Sequence, residues 1–279
     1  MTQMTCYDLH SHSTASDGSL SPEDLIARAI EQGVDVLALT DHDGTEGLAE
    51  AKQAVKDTDL TLISGVEISV TWGKNTVHIL GLNIDSDTDS LQQGLTKLRD
   101  YRIGRAQEIA KRLDKSGISG ALEGARKYAS DIMLGRLHFA KFLVEQGYAK
   151  NINDVFKRYL VRNKPGYVPG EWASLADAVN WINEAGGQAV IAHPARYRIT
   201  ATKLRRLVTE FKEIGGVGFE VVSGRQHPEE IKTLARIAEQ FELLASCGSD
   251  FHTPDNTWVE LGRLPPLPES CVPVWSTWG

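Results

Sequence analysis

The amino-acid sequence predicts an α/β protein built on a closed or nearly closed (β/α) barrel. Short apolar stretches typical of buried strands alternate along most of the chain with amphipathic stretches of helical spacing. About seven such strands are present, and this number favours a barrel over an open, doubly wound sheet. No Gly-x-Gly-x-x-Gly motif follows the first strand, so a dinucleotide-binding fold has no support.

The first part of the chain is expected to run strand, helix, strand, helix, strand, strand. The first helix is marked by Ser21 at its N-cap, Pro22 at its first position and Gly33 after its end. Asp43 is predicted to cap the second helix. We expect a parallel sheet covered by helices. The predicted strands are at residues 8–12, 36–39, 60–70 and 76–82, and the predicted helices are at 21–33 and 45–56.

The middle of the chain has a different pattern. Between residues 87 and 163 strand signals are absent, and Leu, Ala, Arg and Lys recur at helical spacing. We expect residues 87–163 to form a helical insertion that has its own small core and covers the barrel mouth. Residues 1–86 and 164–279 are expected to form the barrel. In the last third, strands are predicted at 189–192, 217–222 and 243–246, each followed or preceded by a helix.

Composition excludes several classes of protein. No apolar run approaches the roughly 20 residues that a membrane span requires, and the N-terminus lacks the apolar stretch of a signal peptide. Three scattered cysteines do not suggest a disulfide framework. We therefore expect a cytoplasmic protein with no membrane partner. We also expect a monomer. The net charge of −7 argues against a broad nucleic-acid groove, but bound divalent cations would concentrate positive charge in one pocket.

Side chains that can bind metal ions follow the predicted strands. His10 and His12 share one face of a strand because side chains alternate, and Asp250 and His252 repeat this spacing. In a (β/α) barrel, strand ends of this kind meet at one mouth. The candidate ligands are His10, His12, Asp17, His42, Glu67, His78, His193, Asp250 and His252. Six imidazoles and three carboxylates suit two or three bridged ions rather than one tetrahedral zinc ion. Asp41 is expected to orient an imidazole.

These motifs resemble those of the PHP (polymerase and histidinol phosphatase) family. The order His-x-His, Thr-Asp-His, Glu, His, His-Pro and Asp-x-His matches the family at each ligand position. The resemblance implies a distorted (β/α)7 barrel with a trinuclear metal centre that hydrolyses phosphate esters. We expect manganese as the metal, with iron or zinc as alternatives.

Three further stretches resemble a bacterial subgroup of stand-alone members of this family. They are residues 136–140 (RLHFA), 164–168 (KPGYV) and 193–197 (HPARY), where Ala195 replaces the glycine of the subgroup. The resemblance implies removal of the 3′-phosphate from nucleoside 3′,5′-bisphosphates and trimming of short 5′-phosphorylated single-stranded RNA from its 5′ end. It also implies catalytic and phosphate-binding roles for Arg136, His138 and Arg196, and substrate binding by Lys164 and Tyr167.

The expected activity is therefore that of a metal-dependent phosphoesterase, in which a metal-bound hydroxide attacks phosphorus in line. A histidinol-phosphate-type phosphatase would use the same ions without needing a nucleoside pocket. A metal-dependent amidohydrolase would direct them at a carbonyl carbon and release no phosphate. A non-catalytic metal-binding module would lack some ligands, whereas every ligand position is filled here.

Overall fold

A seven-stranded sheet forms the centre of the protein and confirms the predicted α/β barrel. The computed structural model describes residues 5–129 and 133–278, so the outer limits of the predicted barrel, residues 1 and 279, lie outside the described residues. The strands are β1 (Tyr7–Asp8), β2 (Val36–Leu39), β3 (Thr61–Trp72), β4 (Asn75–Leu82), β5 (Gln188–Ile191), β6 (Gly218–Ser223) and β7 (Leu244–Gly248). The backbone N–H of Leu9 donates to the carbonyl of Cys247 at 2.9 Å, so the first and last strands meet and the barrel nearly closes.

The expectation of a parallel sheet is wrong at β4, which runs antiparallel to both of its neighbours. The other strand pairs are parallel. Gly73 and Lys74 alone connect β3 to β4, and Gly73 has φ of +60°. Two residues can reverse the chain but cannot hold a crossover helix. As a result, the first half of β4, which contains His78, lies at the same mouth as the carboxyl ends of the parallel strands.

Helices cover the barrel and form the middle of the chain. They are α1 (Pro22–Glu31), α2 (Leu48–Ala54), α3 (Asp89–Asp114), α4 (Ala121–Arg126), α5 (Arg136–Glu145), α6 (Ile152–Val155), α7 (Leu175–Glu184), α8 (Ala201–Glu213) and α9 (Pro228–Gln240). Ser21 caps α1 by accepting from the backbone N–H of Asp24 at 3.0 Å. The predicted cap at Asp43 is wrong, because α2 begins after Gly47. None of the helices in the described ranges is long and apolar enough to cross a bilayer.

Residues 89–160 are called the helical segment below, and its described parts, 89–129 and 133–160, contain no strand. Ile109 and Leu113 of α3 pack with Phe139 and Leu143 of α5 in a core of their own. The first half of α3 instead contributes to the main barrel core, through residues such as Leu95. A single continuous helix thus joins both cores. The division of the chain into barrel and insertion stays a prediction.

Two isoleucines of α3 test whether this second core contributes to stability. Ile109 is 1% exposed, whereas Ile103 on the same helix is 45% exposed. We expect Ile109→Ala to lower the free energy of unfolding by about 2–5 kcal/mol, because it leaves a cavity among packed side chains. The matched Ile103→Ala change should cost less than about 0.5–1 kcal/mol. Urea unfolding followed by circular dichroism measures both, and similar losses for the two variants would contradict the described packing.

Candidate metal centre

All nine predicted ligands lie together at the barrel mouth, arranged around the buried carboxylate of Glu67. Oε1 of Glu67 is 2.8 Å from Nδ1 of His78 and 2.9 Å from Nε2 of His193. Its Oε2 is 2.9 Å from Nδ1 of His42 and within 3.4 Å of Nε2 of both His10 and His12. One carboxylate thus faces five imidazoles.

Two further carboxylates extend this cluster. Oδ1 of Asp250 is 3.0 Å from Nε2 of His12 and 3.3 Å from Nε2 of His10. Oδ1 of Asp17 is 3.2 Å from Nε2 of His252 and 3.9 Å from Nε2 of His42. Asp250 therefore lies beside His10 and His12, whereas Asp17 lies beside His252. We call these nine side chains the metal-donor cluster.

The donor atoms are close enough for several ions. Three overlapping groups have all of their ligand atoms within 4.8 Å of one another. These groups are His12–Asp17–His42–His252, His10–His12–Glu67–Asp250 and His42–Glu67–His78. His193 belongs to none of these three groups, although it contacts Glu67. Imidazole nitrogens and carboxylate oxygens are the ligands that divalent transition metals take in proteins.

Buried polar atoms without hydrogen bonds also fit a divalent cation. Among the described residues, Nε2 of His10, Nδ1 of His42, Oε2 of Glu67 and Oδ1 of Asp17 are buried and lack a hydrogen-bond partner of good geometry. Such groups are costly unless another partner satisfies them. The donor set therefore fits divalent metal ions held between these atoms.

The pKa values of the cluster also fit a site for divalent metal ions. Burial would raise the pKa of Glu67, but His42, His78 and His10 hold it well below its usual value. Burial would lower the pKa of His12, but hydrogen bonds and charges from Asp250 and Glu67 outweigh it and raise the pKa to about 10. Glu67 is thus ionised, and in the ion-free protein protonated imidazoles such as that of His12 compensate the negative charge of the cluster.

Strained backbone places two of the ligands. His193 has φ of +28° and Asp250 has φ of +54°, in the left-handed region that side chains larger than glycine rarely occupy. The N–H of Asp250 donates to the carbonyl of His10 at 2.8 Å, and the N–H of His193 donates to a carboxylate oxygen of Glu220. Such strain persists only where surrounding contacts hold it, and it is found most often at functional sites.

Glu220 is a supporting residue that the sequence patterns do not predict. It is fully buried on β6, and its Oε1 accepts from Nδ1 of His10 at 3.1 Å. A carboxylate in this position fixes the orientation and tautomer of the ligand imidazole. The available signal was a single glutamate within the apolar stretch Gly218–Ser223.

Asp41 acts on the loop that follows the first strand. Its Oδ1 accepts from the backbone N–H of Ser13 at 2.8 Å and from Oγ of Ser16 at 2.5 Å. Oγ of Ser16 is in turn 3.5 Å from Nδ1 of His12. The expected link between Asp41 and an imidazole therefore runs through Ser16.

A cavity of about 560 Å³ opens beside the cluster and is bordered by Asp17, His42 and His78. We call it the mouth cavity. Its cationic side chains are Lys74, Arg102, Arg105, Arg136, Arg162, Arg196 and Arg198. Two of these cations, Arg102 and Arg105, come from α3. A concentration of positive charge in a concave site beside metal donors suits a substrate with more than one negative group.

Three of the five predicted substrate residues line this cavity. They are Arg136, Arg196 and Tyr167. The guanidinium of Arg196 also pairs with Asp250. Lys164 is exposed and is not among the residues that border the mouth cavity.

His138 is not brought to the cavity wall either. It is 1% exposed, and its Nδ1 accepts from the backbone N–H of Gly135 at 3.0 Å. Burial lowers the pKa of His138 to about 4, so the ring is neutral at pH 7 and carries its proton on Nε2. In this position it supports the first turn of α5, which begins with Arg136.

Arg105 is a cavity residue that the sequence patterns do not predict. It is 8% exposed, and one guanidinium nitrogen, Nη2, donates to the carbonyl of Val168 at 3.0 Å, while Nε has no partner among the described residues. Burial and the nearby Arg136 lower its pKa to about 10. A buried guanidinium without a carboxylate partner in the described ranges is suited to an anionic ligand.

The fold and the cluster define a metal-binding α/β barrel protein. A family model described as the PHP domain matches residues 8–169. This match covers more than half of the chain, and the chain belongs to the PHP domain family.

Two relatives are similar over almost the whole chain. The 5′-3′ exoribonuclease Rnm of Escherichia coli (strain K12) is 48% identical over 274 residues, which cover 98% of this chain and 93% of the relative. The 3′,5′-nucleoside bisphosphate phosphatase of Chromobacterium violaceum is 45% identical over 273 residues, which cover 98% of this chain and 96% of the relative.

Solved structures share the fold. A structure from Chromobacterium violaceum, described as an amidohydrolase with bound sulfate and no metal, has a TM-score of 0.92 at 45% identity and covers 98% of this chain and 95% of its own. A structure from Bifidobacterium adolescentis, described as a metal-dependent phosphoesterase, has a TM-score of 0.81 at 26% identity, covering 98% and 94%.

Metal binding should release protons and strengthen as the pH rises. His12, with its pKa raised to about 10, is protonated at neutral pH in the ion-free protein and must lose this proton to bind an ion. We expect the affinity for Mn²⁺ to rise between about pH 6.5 and pH 8.5, by up to about tenfold per pH unit for each proton released. Isothermal titration calorimetry in two buffers of different ionisation enthalpy counts the protons. Binding that is independent of both pH and buffer would contradict this account.

Proposed function

We propose that this protein is a metal-dependent phosphoesterase that removes the 3′-phosphate of nucleoside 3′,5′-bisphosphates. We propose that it also trims short 5′-phosphorylated RNA from the 5′ end. The observation that carries this proposal is the direct opening of the metal-donor cluster into a cavity lined by guanidinium groups. The names of the relatives from Escherichia coli and Chromobacterium violaceum support the same two substrates.

The ions would be held by the nine side chains of the metal-donor cluster, with Glu67 shared between two donor groups. When bound, divalent cations act as Lewis acids that activate water and stabilise the charge that develops on phosphoryl oxygens. We propose manganese, with iron or zinc as alternatives. A donor set of imidazoles and carboxylates without thiolate supports this choice.

The cations of the mouth cavity distinguish a bisphosphate from a monophosphate. We place the 3′-phosphate at the cluster and the second, 5′-phosphate against Arg136 and Arg105. Neither guanidinium has an ion pair with a carboxylate among the described residues, so a phosphate would satisfy both. Histidinol phosphate has a single phosphate, so it would leave Arg136 and Arg105 without an anionic partner.

RNA can use the same arrangement. The bond next to a 5′-phosphorylated nucleotide in RNA joins its 3′-oxygen to phosphorus, as does the bond to the 3′-phosphate of a bisphosphate. Tyr167 offers an aromatic side chain on the cavity wall for the nucleoside. Arg196, which is held by Asp250 and partly exposed, keeps N–H groups free to contact the reacting phosphate.

Lys164 is exposed and does not border the mouth cavity, so we propose that it contacts only the part of a substrate that extends beyond the cavity. His138 is proposed to position Arg136 rather than to transfer a proton, since its Nδ1 already accepts a hydrogen bond from the backbone N–H of Gly135.

The three cysteines are free thiols, which supports action in a reducing compartment such as the cytoplasm.

Phosphate release tests the proposed activity. With Mn²⁺ present, we expect release from adenosine 3′,5′-bisphosphate and nucleotide release from short 5′-phosphorylated RNA, with little release from AMP or histidinol phosphate. Glu67→Ala should abolish turnover because it removes a shared ligand, whereas Glu123→Ala, at an exposed position on α4, should be unaffected. Release from histidinol phosphate alone would indicate the alternative phosphatase, and no release from any phosphate ester would favour an amidohydrolase.

Arg136→Ala should weaken substrate binding without removing the metal ions. Loss of a charge-assisted contact to phosphate costs about 1.5–3 kcal/mol, which corresponds to a rise in KM of roughly tenfold to hundredfold. The control is Arg126→Ala, which removes an exposed arginine paired with Glu123 on the surface. Steady-state kinetics with adenosine 3′,5′-bisphosphate and metal analysis of both variants provide the comparison. An unchanged KM for Arg136→Ala would remove Arg136 from the phosphate site.

A further inference from the structure

Arg102 reaches from the helical segment to the residues that support the metal-donor cluster. Its side chain is 10% exposed. Nε donates to Oδ2 of Asp43 at 2.6 Å, and Nη2 donates to Oγ of Ser69 at 2.9 Å. The guanidinium carbon lies 4.7 Å from the centroid of the Trp172 ring. A single side chain of α3 therefore contacts three separate parts of the barrel.

Asp43 is connected to two candidate ligands. It directly follows His42, and its backbone N–H donates to the carbonyl of Glu67 at 2.9 Å. Its φ is +48°, so the backbone here depends on these contacts. The carboxylate is fully buried, and its Oδ1 accepts from the N–H of Ser69 at 2.6 Å. A buried carboxylate needs compensating charge, and among the described residues Arg102 supplies it.

Ser69 connects Arg102 to a third candidate ligand. It lies two residues after Glu67 on β3 and pairs with His78 across to β4. His42, Glu67 and His78 together form one of the three donor groups. Each of these ligands is thus within two residues, or one cross-strand pair, of an atom that Arg102 contacts.

We propose that Arg102 is a positioning residue that neutralises Asp43 and thereby holds His42, Glu67 and His78 in the arrangement a divalent cation requires. Arg105 lies one turn further along α3, with its guanidinium carbon 5.3 Å from the centroid of the same Trp172 ring. The two arginines thus lie against one aromatic ring, with Arg102 contacting the residues that support the donor group and Arg105 bordering the mouth cavity. The inference depends on the proposed function only through the binding of a divalent cation by the cluster.

The test compares Mn²⁺ binding to the full-length wild-type protein, Arg102→Gln and Arg99→Gln, by calorimetry without substrate. Arg99 is a matched control, because it lies one turn earlier on α3 and forms an ion pair of 2.9 Å with Glu46 before α2. Removing a residue that orients metal ligands typically costs about 10- to 100-fold in metal affinity. We expect this loss at one or more sites in Arg102→Gln and wild-type affinity in Arg99→Gln. Wild-type affinity in Arg102→Gln, or equal losses in both variants, would overturn the proposal.

Asp43→Asn decides the question if Arg102→Gln does not fold. The change keeps the shape of the side chain, removes its charge, and places a residue type that tolerates positive φ. We expect a similar loss of Mn²⁺ affinity, and no additional loss in the folded double variant, because both changes break the same contact. Wild-type affinity in Asp43→Asn, or losses that add in the double variant, would contradict the proposal.

A separate measurement keeps this inference apart from the proposed function. Phosphate release from adenosine 3′,5′-bisphosphate is assayed with the wild-type protein alone. Normal Mn²⁺ binding without phosphate release counts against the proposed function, while the affinity differences among the Arg102, Asp43 and Arg99 variants still decide the role of Arg102.

Discussion

The structure of the site depends on the burial of one carboxylate, that of Glu67, among imidazoles. Five histidines from four different strands or strand ends approach its two oxygens within 3.4 Å. Burying an ionised carboxylate is unfavourable unless opposite charge lies close to it. The histidines, and the ions they are suited to bind, provide that charge. The closure of the barrel, the reversal of β4 and the strained backbone at His193 and Asp250 all serve to bring these groups together.

The ligands could be predicted from the sequence because they follow local rules. The alternation of side chains placed His10 and His12 on one face, and the positions of the strand ends indicated a common mouth. The reversal of β4 was not predicted, although the short connection at Gly73 was its signal. The error did not affect His78, since an antiparallel strand presents its beginning where parallel strands present their ends.

Residues that act across long stretches of sequence could not be predicted in this way. Glu220 contacts His10 from 210 positions away. Arg102 reaches Asp43 from a different part of the chain, so Asp43 was wrongly interpreted as a helix cap. Arg105 looks like any solvated arginine of a long helix until the structure shows it buried beside Trp172. Local patterns identify the groups that bind ions, whereas tertiary packing identifies those that support them.

The barrel supplies the metal donors, and several of the cations of the mouth cavity come from the helical segment. The two sets of residues are joined by α3, whose first half packs in the barrel core and whose second half packs in the core of the helical segment. Substitutions in the part of α3 that follows Arg102, and in α5, can therefore change which phosphorylated compound fits while the chemistry at the strand ends is conserved. Such an arrangement allows substrate preference to diverge among descendants of one ancestral hydrolase without rebuilding its reaction centre.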